Sequence, residues 1–363
     1  MAPSGGRGIG GVSAAAAPIE VEAEADEASA TSISVIMPVW NGADMLDRSL
    51  PPLALMHARG EVVEIIVVDD GSTDDSVGRA TTHGARVLPS GGRLGPGGAR
   101  NVAAPLARGN VLWFVDADVV VHDDAARILA GSLHDRDTAA VFGCYDDRPA
   151  GSNFLSQYKN LVHHYYHHRA GGAADTFWAG CGAVRKAAFL AAGGFDAARY
   201  PFPSIEDIEL GYRLRERGHR IRLDPALQGT HLKVWRFANL LHTDVVRRAL
   251  PWSRLILDRG ALPDALNVGT TERCKAALAI LLAASIVLAV VRLVPFWLPL
   301  LPGALAIAAS APLFGLFRRA HSTAFALAAL AFHQLYYLYS AAAFAACWVE
   351  HKIARWRGRD GGR

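Results

Sequence analysis

"VLWFVDADVVVHDD", residues 111–124, joins five apolar residues to two carboxylates one residue apart, Asp116 and Asp118. A carboxylate leaves water at high cost unless a cation or hydrogen-bond donors meet it. Either this strand surfaces at its end, or a cation is held there. Two earlier stretches, "SISVIMPVW" (32–40) and "EVVEIIVVDDGS" (61–72), are also β-branched apolar runs. The second again ends in acid and glycine, at Asp69 and Asp70. "ADMLDRSLPPLALMHARG" (43–60), "TDDSVGRATTHG" (73–84) and "PGGARNVAAPLARG" (96–109) read as helices. The first is expected to break at Pro51 and Pro52, the second begins at a Thr/Asp cap, and the third opens on glycines. "ARVLPS" (85–90) is a short strand. This alternation predicts a mostly parallel sheet between helices, whose ligands sit at the carboxyl ends of the strands. The two acidic strand ends then share one edge.

Composition frames the rest. The chain has 363 residues and 51% hydrophobic content, with a mean hydropathy of +0.17. The apolar excess collects in the last ninety or so residues. A net charge of +3 makes no case for nucleic acid. Cys144, Cys181, Cys274 and Cys347 form no CxxC pair, which suggests a reducing compartment. Residues 1–31 carry one arginine and no apolar core, and are expected to be a disordered tail rather than a signal peptide.

Beyond residue 138 the pattern mixes. "AAVFGCY" (139–145) reads as a strand and "NFLSQYKNLVHHYYHHR" (153–169) as a helix. "TFWAGCGAVRKAAFLAAGGF" (176–195) reads as a glycine-containing strand or turn followed by a helix. "SIEDIELGYRLRERG" (204–218) is a helix and "HRIRLDPALQGTH" (219–231) a strand. Residues 236–270 begin with arginines set among apolar residues, as in a helix lying at a membrane interface. Residues 276–291, 295–317 and 322–349 each approach bilayer length, giving two or three membrane helices in a 271–350 region before a basic tail, 351–363. Three spans under a cytoplasmic domain would put that tail outside, against the positive-inside tendency. A re-entrant second segment, which holds four prolines, would restore agreement.

The chemistry-bearing residues fall at the predicted strand ends. Asp116 and Asp118 can converge on a hard divalent cation or divide between ion and ribose, the bland alternative being a solvated turn. Asp70 can accept from a pyrimidine imide N–H. "SGGRLGPGGARN" (90–101) can bring backbone N–H groups to a diphosphate, with Arg100 adding charge, or be a flexible loop. Asp207 can act as a general base, while Ser204 and Asp207 together fit a helix capping box. The "HHYYHH" run (163–168) offers two i,i+4 histidine pairs, but no acid or cysteine near it in sequence completes a metal site.

Taken in order, "SVIMPVWNG", "IIVVDDGSTDDS", "GGARNVAAPLARGNVLWFVDAD", "GGFD" and "EDIELGYRLRERGHRI" resemble the successive motifs of the family 2 glycosyltransferases, over roughly residues 32–235. The resemblance implies a GT-A nucleotide-sugar fold and an inverting transfer from a nucleotide-sugar donor. It implies donor-binding roles for Pro38, Asp70, Arg100 and Asp116, with Asp70 on the base, usually uracil. It also implies a metal role for Asp118 toward Mg²⁺ or Mn²⁺, and Asp207 as catalytic base. "THLKVWRF" (230–237) partly matches an acceptor motif, which puts Trp235 toward the acceptor and His231 near the metal or diphosphate; Glu206, the first member of the "ED" pair, is also expected toward the acceptor. With the apolar C-terminal region, the expectation is a multi-pass protein of the inner membrane with a cytoplasmic catalytic domain and a lipid or lipid-linked acceptor. The rivals are a processive polysaccharide synthase, a non-catalytic membrane scaffold and a nucleotidyltransferase. The last would carry a basic glycine-rich loop where this chain has "PVWNGADM".

Overall fold

A computed structural model describes residues 31–260 and 266–360. The expected N-terminal tail, save its last residue, and the end of the basic tail lie outside the described residues.

The first half is built as the alternation predicts. Strands β1 (Ile33–Val39), β2 (Glu64–Asp69), β3 (Arg86–Pro89) and β4 (Val111–Val115) pair in parallel, in the order β3-β2-β1-β4. Val39 pairs with Asp69, so the carboxyl ends of β1 and β2 are level and carry their acids to one rim. Helices α1 (Ala43–Ala58), α2 (Ser76–Thr82) and α3 (Gly95–Ala103) connect the strands. α1 does not break at its prolines. Leu46, Leu50, Leu53 and Met56 are fully buried on its inner face, and that packing outweighs the two N–H donors that Pro51 and Pro52 lack. Asp74 joins two helix starts, accepting the backbone N–H of Ala43 at 3.0 Å and of Ser76 at 3.1 Å.

Past β4 the sheet turns mixed. β8 (Cys181–Arg185) runs antiparallel to β4, and β6 (Thr138–Tyr145) antiparallel to β8. The 12-residue β9 (Arg220–His231) then lies parallel to β6 and antiparallel to β5 (Val119–Val121) and β7 (Gly172–Ala174). The β5 pairing matters for function, because Val119 opposite His231 sets His231 beside Asp118. β6 shifts register against β9 between Phe142 and Cys144. At Gly143 a side-chain carbon would come within 1.8 Å of the Leu227 carbonyl oxygen, so only glycine fits that bulge. α4 (Ala125–Ser132), α5 (Phe154–Arg169), α6 (Lys186–Ala191) and α7 (Glu206–Glu216) complete the domain. The two faces of the sheet bury separate cores, one around Trp113 and Leu46, the other around Phe114 and Phe142.

After β9 the chain is helical. α8 (Phe237–His242), a wider-coiled stretch (Thr243–Ala249) and α9 (Leu250–Arg259) return across the catalytic domain. There Trp252 donates to the Tyr212 hydroxyl at 3.3 Å. α10 (Thr270–Val290) is long and apolar enough to cross a membrane; it buries Glu272, Lys275, Ala279 and Ser285 and leaves most of its apolar side chains exposed, Val287 at 60% and Val290 at 76%. α11 (Leu300–Ala309) and α12 (Ala311–Ala320) would pass the same test only together, and they bend by 69° at Ser310. The third segment is part of a 38-residue helix, α13 (Thr323–Asp360), which does not meet that test. Its polar groups turn inward: the His333 ring and the Tyr337 and Tyr339 hydroxyls bond to Tyr158, Glu272 and Asp244. The sequence suggests two or three spans. Among the described residues the structure gives one, or two if the bent pair counts as one.

Candidate active site

The carboxyl ends of β1, β2 and β4 open onto a cleft of about 540 Å³ lined by Pro38, Asp70, Arg100, Asp116, Asp118, Glu206, Asp207, His231 and Trp235. Every residue named above as a candidate site residue therefore borders one cavity.

Asp70 is buried at the end of β2. It accepts from the Ser90 hydroxyl and the Leu94 N–H at 2.8 Å each, and from the Gly95 N–H at 2.9 Å. The glycine-rich loop is thus pinned by this carboxylate rather than flexible. A carboxylate has about four acceptor positions, so one stays open to the cleft. Gly95 has φ +75°, and a side-chain carbon there would lie 2.4 Å from the Pro201 carbonyl oxygen. Arg93, on the same loop, lays its guanidinium 3.5 Å from the Trp40 ring centroid and its Nε 3.8 Å from Asp70.

Arg100 is not a free cation awaiting a phosphate. It is almost fully buried in α3, donates to Asp116, and places Nη1 3.6 Å from Glu206 Oε1. Its charge holds β4 and α7 together. Burial pushes the Asp116 carboxyl above its ordinary range, and Arg100 opposes that push. Asp118 differs. Burial would raise it, but the hydrogen bond and charge of His231, with Lys233 beyond, outweigh burial and hold it below the ordinary range. His231 Nε2 lies 3.5 Å from Asp118 Oδ2, and its ring stacks on Tyr145 at 4.2 Å between centroids.

Glu206 and Asp207 open α7. No capping box forms: the Ser204 hydroxyl donates to the Arg247 carbonyl, and Ile205 occupies the cap position. Asp207 instead accepts the backbone N–H groups of Ala179 at 3.1 Å and Ile208 at 2.8 Å, which fixes the carboxyl in the cleft. Burial raises its pKa against those donors and against Arg100 and Arg248. Burial, and then the neighbouring Asp207, push Glu206 up to about 7. The backbone N–H of Trp235 donates to the Ser156 hydroxyl, and the indole carries the Lys233 ammonium 4.3 Å from a ring centroid.

A second cavity of about 460 Å³ adjoins the cleft, with an apolar wall of Trp252, Ile256, Val268, Ala277, Ile280 and Phe344 and with Asp244 and Glu272 among its polar lining. The two share Lys159, His163, Trp178, Ser204, Asp207 and Arg248. Sequence reasoning missed Lys159, Arg93 and Arg248 as site residues. Their signal was present only as basic residues inside otherwise apolar or glycine-rich runs.

The sheet and its flanking helices form an α/β fold of GT-A type. The likeness extends over 89% of the chain and 87% of the mannosyltransferase of Pyrobaculum calidifontis solved with GDP-Man and Mn²⁺, at a TM-score of 0.53 and 19% identity. Residues 34–192 match the family model described as Glycosyl transferase family 2, and the chain carries a domain of that family. It is 29% identical over 221 residues to the pre-mycofactocin glycosyltransferase of Mycobacterium tuberculosis, covering 56% of this chain and 43% of the relative. It is also 29% identical over 221 residues to the validoxylamine A glucosyltransferase of Streptomyces hygroscopicus, covering 51% and 52% respectively. The chain thus spans about half the length of these relatives.

Proposed function

We infer that the chain moves a sugar from a nucleotide-sugar donor, a uridine diphosphate sugar being expected, to a membrane-associated, lipid-linked acceptor by single displacement with inversion. The observation that carries this reading is the position of Asp207, where the polar cleft and the apolar cavity meet. A donor in the cleft and an apolar acceptor in the cavity would approach this carboxylate from different sides. Asp207 would take the proton of an acceptor hydroxyl as its oxygen attacks. The Ala179 and Ile208 N–H groups keep the carboxylate aimed, and burial keeps its basicity above that of a free aspartate.

On the donor side, the open position on Asp70 would accept a base N–H, with Arg93 and Trp40 beside it. Asp118 and His231 offer an ionised carboxylate and an imidazole, a donor set that fits Mg²⁺ or Mn²⁺, while Asp116 is committed to Arg100 and would orient the nucleotide. When bound, such an ion supplies Lewis-acid neutralisation of the leaving diphosphate. Arg248, at the junction, would hold an anionic head group of the acceptor, while Lys159 beside it is committed to Asp244.

In this proposal residues 32–235 form the catalytic domain, 236–270 lie at the interface and 271–350 sit in the inner membrane, with the catalytic domain on the cytoplasmic side. The bare apolar surface of α10 and the apolar wall of the second cavity support it. The test is transfer of labelled sugar from a panel of UDP- and GDP-sugars into lipid extract, comparing the full chain with Asp207→Asn.

A further inference from the structure

The histidine run of α5 is not used by the proposed reaction, and the fold gives it a partner that the sequence concealed. His164 and His168, one turn apart, present their rings on the same face with centroids 5.0 Å apart. β6 brings Cys144 against that face, and one ligand atom each from Cys144, His164 and His168 lie within 4.8 Å of one another. Cys144 and α5 are brought together by β6 packing beneath the helix, which no local spacing reveals.

Two further features suit a metal. The His164 Nδ1 bonds the Tyr145 carbonyl oxygen at 2.9 Å. A backbone acceptor there fixes the tautomer with its proton on Nδ1 and leaves Nε2 as a lone-pair donor, the arrangement by which ligating histidines are oriented. The ligands also grade outward: Cys144 is buried, His164 half-buried and His168 exposed, so an ion can enter from solvent and keep water in a fourth position. Tetrahedral zinc with one thiolate and two imidazoles sets neighbouring ligand atoms about 3.5 Å apart, so closure requires a shift of about an ångström. The Cys144 thiol now donates to the Pro225 carbonyl across 3.5 Å, a weak bond that a metal–sulfur bond would replace.

We propose that Cys144, His164 and His168 form a zinc-class metal site on the flank of the catalytic domain, separate from the acidic rim of the cleft. Its place gives it a mechanical role. On the adjoining stripe, α5 packs Tyr158, Leu161 and Tyr165 against Leu313 and Phe317 of α12. A metal joining α5 to β6 would brace the joint between the catalytic sheet and the C-terminal helices. It would also steady Tyr145, the next residue along, against which His231 stacks.

The experiment titrates the purified full chain with Co²⁺ and then with competing Zn²⁺, reading the thiolate-to-cobalt charge-transfer absorption and the midpoint of thermal unfolding. The acidic cleft contains no thiol, so this absorption distinguishes the new site from the cleft, whatever the fate of the sugar-transfer reading, and substitution of Cys144 distinguishes it from the other free thiols. The expected result is one thiolate-bound Co²⁺ per chain, read from a charge-transfer band that Zn²⁺ abolishes, and a higher unfolding midpoint with Zn²⁺ than with chelator. Cys144→Ser should lose the band. His168→Ala, at an exposed position that folding does not need, should weaken Zn²⁺ binding at least about tenfold. Absence of a thiolate band from the folded wild-type chain would overturn the proposal. So would a band that survives both substitutions.

Discussion

Nη1 of Arg100 lies 3.6 Å from Oε1 of Glu206, while the same guanidinium donates to Asp116. One buried cation thus serves two carboxylates from different parts of the chain, the end of β4 and the start of α7. Removing one partner of a buried ion pair leaves an uncompensated charge, at a cost of about 3 kcal/mol or more. Arg100→Met is therefore expected to lower the unfolding free energy by about that amount and to abolish transfer. Arg100→Met/Glu206→Gln should recover part of the stability, measured by denaturant unfolding, because one orphaned carboxylate is gone.

Glu206 itself makes stability depend on pH, with a definite sign. Its folded pKa is raised to about 7 from about 4.5, so the folded state keeps its proton where the unfolded chain has lost it. That favours the fold at low pH, and the advantage is lost as pH rises from about 4.5 to about 7. Glu206→Gln removes this loss. Its unfolding midpoint should gain on the wild type at about pH 8 relative to about pH 5, by the equivalent of about 1–3 kcal/mol.

The rate should show the opposite dependence. Asp207 acts as a base only when ionised, and burial raises its pKa. kcat/KM is expected to rise with pH along a limb lying above the usual aspartate range of about 3.9. Glu206 keeps its proton up to about pH 7, so Glu206→Gln replaces one neutral group by another and should leave this limb nearly in place in a pH–rate profile.

The edge of the fold that carries the site was legible in the sequence because its signals are local. β-branched runs ended by Asp70 and by Asp116 and Asp118 announce strands whose carboxyl ends meet, and the structure brings those acids to one cleft. What was not legible depends on packing between distant segments. Arg100 reads as a phosphate ligand until α7 is seen to bring Glu206 beside it. Ser204 has the spacing of a cap, yet its hydroxyl is spent on the Arg247 carbonyl. Pro51 and Pro52 read as breakers, but α1 buries enough apolar surface to continue through them. Cys144 is far in sequence from the histidines it meets, and the polar stripe of α13 becomes intelligible only once Tyr337 and Tyr339 are seen docked on Glu272 and Asp244.

Divalent metal should be needed at the cleft. Chelation is expected to reduce transfer by about 100-fold or more, restored by Mn²⁺ or Mg²⁺. Asp118→Asn should not be restored at any practical metal concentration. His231→Ala, which removes the group 3.5 Å from Asp118, should raise the metal concentration needed for half-maximal rate, read from a metal titration of initial rates.

The apolar cavity should control the acceptor and not the donor. Ile256 lines it and borders α7. Ile256→Asp is expected to raise the KM for lipid acceptor about tenfold or more, from the cost of an unpaired carboxylate in an apolar wall. Nucleotide-sugar affinity, measured by calorimetry without acceptor, should change little.

The most direct test of the central claim follows the sugar. Purified full chain is incubated with labelled UDP- or GDP-sugars, Mn²⁺ and membrane lipid extract, and the label is partitioned between organic and aqueous phases. The account predicts label in a discrete glycolipid with at least one donor, and a loss of at least about 100-fold with Asp207→Asn while donor binding persists. Label found only in polymer or in free sugar, or equal transfer by Asp207→Asn, would contradict it.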